Sequence, residues 1–204
     1  MNQATRRAFT LVELLIGIAV VTILTAILIP TVGGAIKRSH QAKCLQNLRS
    51  IGTAIQLYTI DHKGFLPGPT YHGQKAGPDD SHFLSAYLRY YLGDERDKWT
   101  QPVQAFRCPS TAEDENAYVA AQSIRSDTAN SLSPWGLVSG NGGRNKTPMR
   151  LNELDAHYKL SGQWAIRDYY GTPPKYRPWT NTMAGPPRHG TSNVLFFDGH
   201  VEAE

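Results

Sequence analysis

Residues 6–30 read RRAFTLVELLIGIAVVTILTAILIP, and the organisation of the chain follows from them. Between Leu14 and Ile29 no residue carries a charge, and with Phe9–Val12 the run reaches about the 20 apolar residues that cross a bilayer as a helix. Glu13 interrupts this run near its start, where a carboxylate deep in lipid costs roughly 2 kcal/mol or more. Such an acid needs a partner. A cut after Ala8 would free the α-amino group of Phe9, four residues and one helical turn from Glu13. The same amine on a neighbouring subunit would serve equally, and so would water, if Glu13 reached the membrane surface.

Beyond Pro30 the apolar spacing stays helical, with Leu45, Leu48, Ile51, Ile55 and Tyr58 recurring every three or four residues. The membrane segment, residues 9–30, is therefore expected to continue as an amphipathic helix over residues 31–62. Pro30 should kink it or loosen one turn, because its ring nitrogen cannot donate to the carbonyl four residues back. About 50 helical residues would span roughly 75 Å, more than the width of a small domain, so the first half must be covered by lipid or by other subunits.

From Gly64-Phe65-Leu66-Pro67-Gly68-Pro69 onwards the chain turns polar and rich in Gly, Pro and Asn, which places a globular head at residues 63–204. Residues 82–93 (HFLSAYLRYYLG) have the spacing of a short packing helix closed by Gly93. Residues 162–169 (GQWAIRDY) alternate as a half-buried strand. Asn193–Glu202 places Asp198-Gly199 between β-formers, the signature of a hairpin with a two-residue turn.

The net charge of +4 falls to +2 if residues 1–8, with Arg6 and Arg7, are removed, too little to argue for a nucleic-acid partner. Arg6 and Arg7 before the apolar run are balanced by Lys37, Arg38 and Lys43 after it, so charge does not orient the segment. Cys44 and Cys108, the two cysteines, admit one disulfide or two buried thiols.

The run Arg6-Arg7-Ala8-Phe9-Thr10-Leu11-Val12-Glu13-Leu14-Leu15, with Pro30 following, resembles the type IV prepilin signal of pilins and type II secretion pseudopilins. The resemblance implies a leader, residues 1–8, cut at Ala8–Phe9 by a membrane peptidase that also methylates the Phe9 amine. It further implies a single-pass bacterial inner-membrane protein with its head outside the cytoplasm, and filament assembly with other subunits through Glu13 and Pro30. The expected fold is α+β, a long amino-terminal helix packed on a small antiparallel sheet. Ala8 replaces the usual Gly. An overlapping twin-arginine pattern at Thr5–Phe9 is opposed by Glu13, and Gly33-Gly34-Ala35 is a poor secretory cleavage site.

Cys44–Gly52, Cys108-Pro109-Ser110 and the segment from His189 to Asp198-Gly199 resemble a group of pilin-like proteins with nine residues between that His and the Asp-Gly. Here eight intervene. His189, Asp198 and His200 are metal-capable residue types, but alternation along a strand separates neighbours, and a structural His189 is the expected reading. Gly140–Thr147 lacks the second glycine of a phosphate loop, and Lys175–Trp179 is a small cation-aromatic patch. No cofactor, metal or catalytic constellation is expected. The alternative to a structural subunit is a minor pilin acting as an adhesin or DNA-binding module through loops 135–150 and 170–188.

Overall fold

The structure, a computed structural model, describes residues 10–77, 82–94, 101–111, 117–121, 123–125, 131–138, 146–168 and 191–203. It is α+β. Helix α1, Leu11–Asp61, is helical through Pro30, since a proline removes only its own amide bond and the flanking turns carry the helix across it. The chain divides into two compact units, Met1–Ser39 and His40–Glu204. In the first, Leu11–Ile29 is long and apolar enough to cross a membrane. Its large aliphatic side chains are between 51% (Val20) and 78% (Leu11) exposed among the described residues.

The second unit is built on a five-stranded antiparallel sheet. Its strands are β1 (Gly73–Gln74), β2 (Tyr118–Ala120), β5 (Trp164–Asp168), β6 (Asn193–Phe196) and β7 (Val201–Ala203), in the order β1-β2-β5-β6-β7. A separate pair, β3 (Ile124–Arg125) and β4 (Ser131–Leu132), stands apart from it. The distal part of α1 supplies Cys44, Leu48, Ile51, Ala54 and Ile55 to the core, with Tyr58 packed at its margin. The predicted face is thus present but rotated: Cys44 and the polar Asn47 are buried, whereas Leu45 is only half-buried. Gly52 lies where an added Cβ would come within 2.8 Å of Leu195 Cδ1, so the absent side chain lets β6 approach the helix.

The predicted helix over 82–93 is shorter and tighter than its spacing implies. α2 spans Leu84–Leu88, a 3₁₀ turn follows at Tyr90–Leu92, and Gly93 (φ 75°) closes it by donating to Tyr90 O. Gln74, fully buried, ties β1 to this element by accepting from the Leu84 amide (2.7 Å) and donating to Thr70 Oγ1 (2.9 Å). A third helix, α3, spans Leu151–His157. β5 departs from simple alternation: its register against β6 shifts between Trp164 and Ile166, a β-bulge at Ala165 that breaks the period of two and leaves the adjacent Ala165 and Ile166 both buried.

The hairpin β6–β7 forms, but its turn is not the two-residue type. Gly199 N–H donates to Phe196 O and Phe196 N–H to His200 O, which makes a three-residue loop of Phe197-Asp198-Gly199. Gly199 alone among the three has positive φ (94°), as expected for a type I turn closed by a glycine bulge. Asp198 stays at negative φ and its carboxylate accepts the His200 amide at 3.1 Å. The loop docks on α1, where Gln56 Nε2 donates to Asp198 O (3.2 Å) and sits where a Gly199 Cβ would be.

Two expectations follow. Gly199→Ala combines backbone strain with displacement of Gln56 and should cost about 1–3 kcal/mol, lowering the thermal midpoint by several degrees. Gln56→Ala in that background should restore only part of the loss, as read by calorimetry. His72 donates from Nδ1 to Ala120 O (2.9 Å), and burial pulls its pKa below the ordinary value. The unfolded chain then binds the proton more readily, so stability is complete above about pH 6.5 and falls as the pH drops below it. In His72→Asn the difference in midpoint between pH 7 and pH 5 should shrink.

Candidate functional site

At the start of α1, Glu13 Oε2 accepts from the Thr10 amide (2.9 Å) and the Thr10 hydroxyl (3.0 Å), while the Glu13 amide donates to Thr10 Oγ1 at 3.3 Å. Thr10-Leu11-Val12-Glu13 is therefore a reciprocal capping box, which satisfies helix-end amides that would otherwise face the apolar phase unpaired. The Thr-x-x-Glu spacing is legible in the sequence, though the partners expected for Glu13 are an amine or water and not Thr10. Both of its bonds use one carboxylate oxygen; Oε1 makes no bond among the described residues. Beside it a shallow groove of about 450 Å³ runs along Leu14, Gly17, Ile18, Val21 and Thr22, with the carboxylate at one end. Gly17, one turn after Glu13, has no atom within 4 Å of the position its Cβ would take.

Cys44 and Cys108, from α1 and the segment preceding β2, face each other in the core with their sulfurs 2.6 Å apart. Both carry thiols in this structure, in contact across the core. The facing Cys108 thiol and then burial push the Cys44 pKa well up. Asn47, one turn along α1, donates to Arg107 O (2.7 Å) and to the Tyr118 hydroxyl (3.3 Å). It thereby gives the loop carrying Cys108 a hydrogen bond inside the core, a role that sequence spacing does not reveal. Buried Asp168 accepts from the amide and side chain of Asn193 at 3.1 and 2.7 Å, joining the ends of β5 and β6.

On the hairpin, Asp198, in the loop as its turn signature predicts, meets His200 two residues on. His200 Nδ1 is 2.5 Å from Asp198 Oδ1, its ring stacks on Phe196 at 4.2 Å, and its Nε2 faces Glu202 Oε1 at 3.6 Å. Among the described residues no three His, Cys, Asp or Glu side chains are grouped as a metal site. Ala8, Phe9 and His189 lie outside the described residues, as do Lys175–Trp179 and most of Gly140–Thr147. Pro30 lies within the α1 backbone.

Comparison with known proteins finds one family model, the prokaryotic N-terminal methylation motif, matching residues 4–29. No curated protein and no solved structure matches the chain. The match covers the basic residues, the Ala8–Phe9 junction, the capping box and the apolar run, and stops before Pro30. The chain thus carries a prokaryotic N-terminal methylation motif on an apolar helix that continues into an α+β head.

Proposed function

We propose that this protein is the precursor of a type IV pilin-like or type II secretion pseudopilin subunit, a structural filament component of the bacterial inner membrane. A prepilin peptidase cuts it at Ala8–Phe9 and methylates the new amine, and the head lies outside the cytoplasm. The observation carrying this reading is the methylation motif over residues 4–29, set on a helix whose apolar side chains the chain leaves uncovered. Cleavage places an ammonium group at the positive end of the α1 dipole, an unfavourable position worth about 0.3–1 kcal/mol. Glu13 offsets it: Oε2 holds the Thr10 cap and Oε1 receives the Phe9 ammonium of a neighbouring subunit. The groove at Gly17 admits that neighbour's helix. The resemblance to the group with a His before Asp-Gly belongs to this reading and rests on the sequence alone.

The mature amino terminus should be Phe9 and should carry one methyl group, read by mass spectrometry of the membrane form; any other terminus removes the proposal. Glu13→Ala should be cut normally yet enter filaments at least about tenfold less, the loss expected for one charge-assisted hydrogen bond. Unimpaired assembly of that variant would remove the ion pair while leaving the cleavage site intact.

The facing thiols extend the reading. Outside the cytosol Cys44 and Cys108 form a disulfide, their two protons and two electrons passing to a disulfide-bearing thiol oxidant. Thiolate is the attacking species and burial suppresses it, so the bond forms during folding. Protein isolated without reductant should take up no alkylating agent on unfolding, and reduction should lower the thermal midpoint by roughly 5–15 °C. Two alkylated cysteines in the unreduced protein would show that the pair stays open.

A further inference from the structure

The hairpin β6–β7 carries a polar constellation that filament assembly does not use. Asp198, His200 and Glu202 follow one another at alternate positions, which brings the last two to one face of the strand. The imidazole of His200 is held in three ways: Phe196 stacks on it with an 8° angle between the rings, Asp198 Oδ1 meets its Nδ1, and the same oxygen accepts its backbone amide. A carboxylate on Nδ1 fixes the orientation of the ring and leaves Nε2 as its outward-facing nitrogen. Nε2 faces a second carboxylate oxygen, Glu202 Oε1, at 3.6 Å.

That separation is long for a hydrogen bond, which spans about 2.7–3.2 Å. It is close to the distance between two ligands of one tetrahedral ion, roughly 3.4 Å for metal–nitrogen and metal–oxygen bonds of about 2.0–2.2 Å. Glu202 is 62% exposed by side chain and free to close the difference. The arrangement also matches a recurrent design, in which a ligating histidine donates its other ring N–H to a carboxylate that fixes its tautomer and raises its basicity.

We propose that the hairpin is a binding site for a transition-metal dication of the zinc or copper class. His200 Nε2 and Glu202 Oε1 are its ligands, Asp198 is the positioning residue behind the imidazole, and water fills the remaining positions. Mixed imidazole and carboxylate donors favour these ions over calcium or magnesium, which take oxygen alone. The hairpin loop is fixed to α1 through Gln56, and the His200 ring is held by Phe196 and Asp198, so one ligand is placed before the ion arrives and Glu202 closes onto it. With only two protein ligands the ion is exchangeable rather than a permanent part of the fold.

The test uses the full chain in detergent, stripped with chelator, and zinc alone as the titrant in a calorimeter. One ion per chain is expected. His200→Ala should abolish binding, Glu202→Gln should weaken it by at least tenfold, and Asp198→Asn, which suits the same turn, by about 10–100-fold. Cupric ion should give an electron paramagnetic resonance signal with the hyperfine pattern of a single imidazole nitrogen, absent in His200→Ala. All three variants should keep the metal-free thermal midpoint of the parent, which separates lost ligation from lost folding. Three results would each overturn the proposal: no ion bound by the parent, binding that survives His200→Ala, as uptake by the cysteines would, or Asp198→Asn binding as tightly as the parent.

Discussion

The head depends on one strip of α1. Cys44, Asn47, Leu48, Ile51 and Ile55 lie along it, and the surrounding segments attach to it by a different contact at each turn. Asn47 holds the loop before β2 and the Tyr118 hydroxyl, Gly52 admits Leu195 of β6, and Gln56 holds the hairpin loop. His40 meets Ser110 at 3.0 Å nearer the start of this strip. Strands of two to five residues have little stability as isolated ribbons. Their order comes from apolar burial against a helix already rigid in itself, with buried polar groups such as Arg107 O satisfied by the same helix.

The proximal part of α1 obeys the opposite rule. Among the described residues nothing covers its side chains over Leu11–Ile29, which suits lipid or other helices as the cover, and the one charge in this stretch, Glu13, has to be accommodated there. The capping box shows how. Glu13 satisfies the Thr10 amide at the start of the helix through one carboxylate oxygen. A single carboxylate thus serves folding and, in the proposed function, assembly. Proline at position 30 is carried within this helix because it removes only its own amide bond while the flanking turns stay hydrogen-bonded.

Much of this was legible in the residues. Apolar runs of period 3.6 mark α1 whatever the context, because the period is a property of the helix. Gly93 and Gly199 mark chain reversals because few other residues accept positive φ without strain. The site was legible in part: Glu13 stood out as a charge in the wrong solvent, and the Thr10 spacing that resolves its local bonding was present though unread. The two-residue turn at Asp198-Gly199 and the alternation of β5 were misread for one reason. Local propensity describes a strand or turn by itself, whereas a docked loop and a bulge in the register between β5 and β6 are set by their neighbours.

The sequence by itself determined the membrane-length helix, the methylation motif over residues 4–29 and the α+β class, since these rest on composition, spacing and short motifs. Only the tertiary structure decided that Cys44 faces Cys108, that Asn47 rather than Leu45 turns inward, and that Asp198 and Glu202 flank the imidazole of His200. The physical reason is that such contacts depend on the rotation of α1 about its axis and on the conformation of one loop. Shifts of a single residue in either would move the side chains to another face while leaving every propensity unchanged.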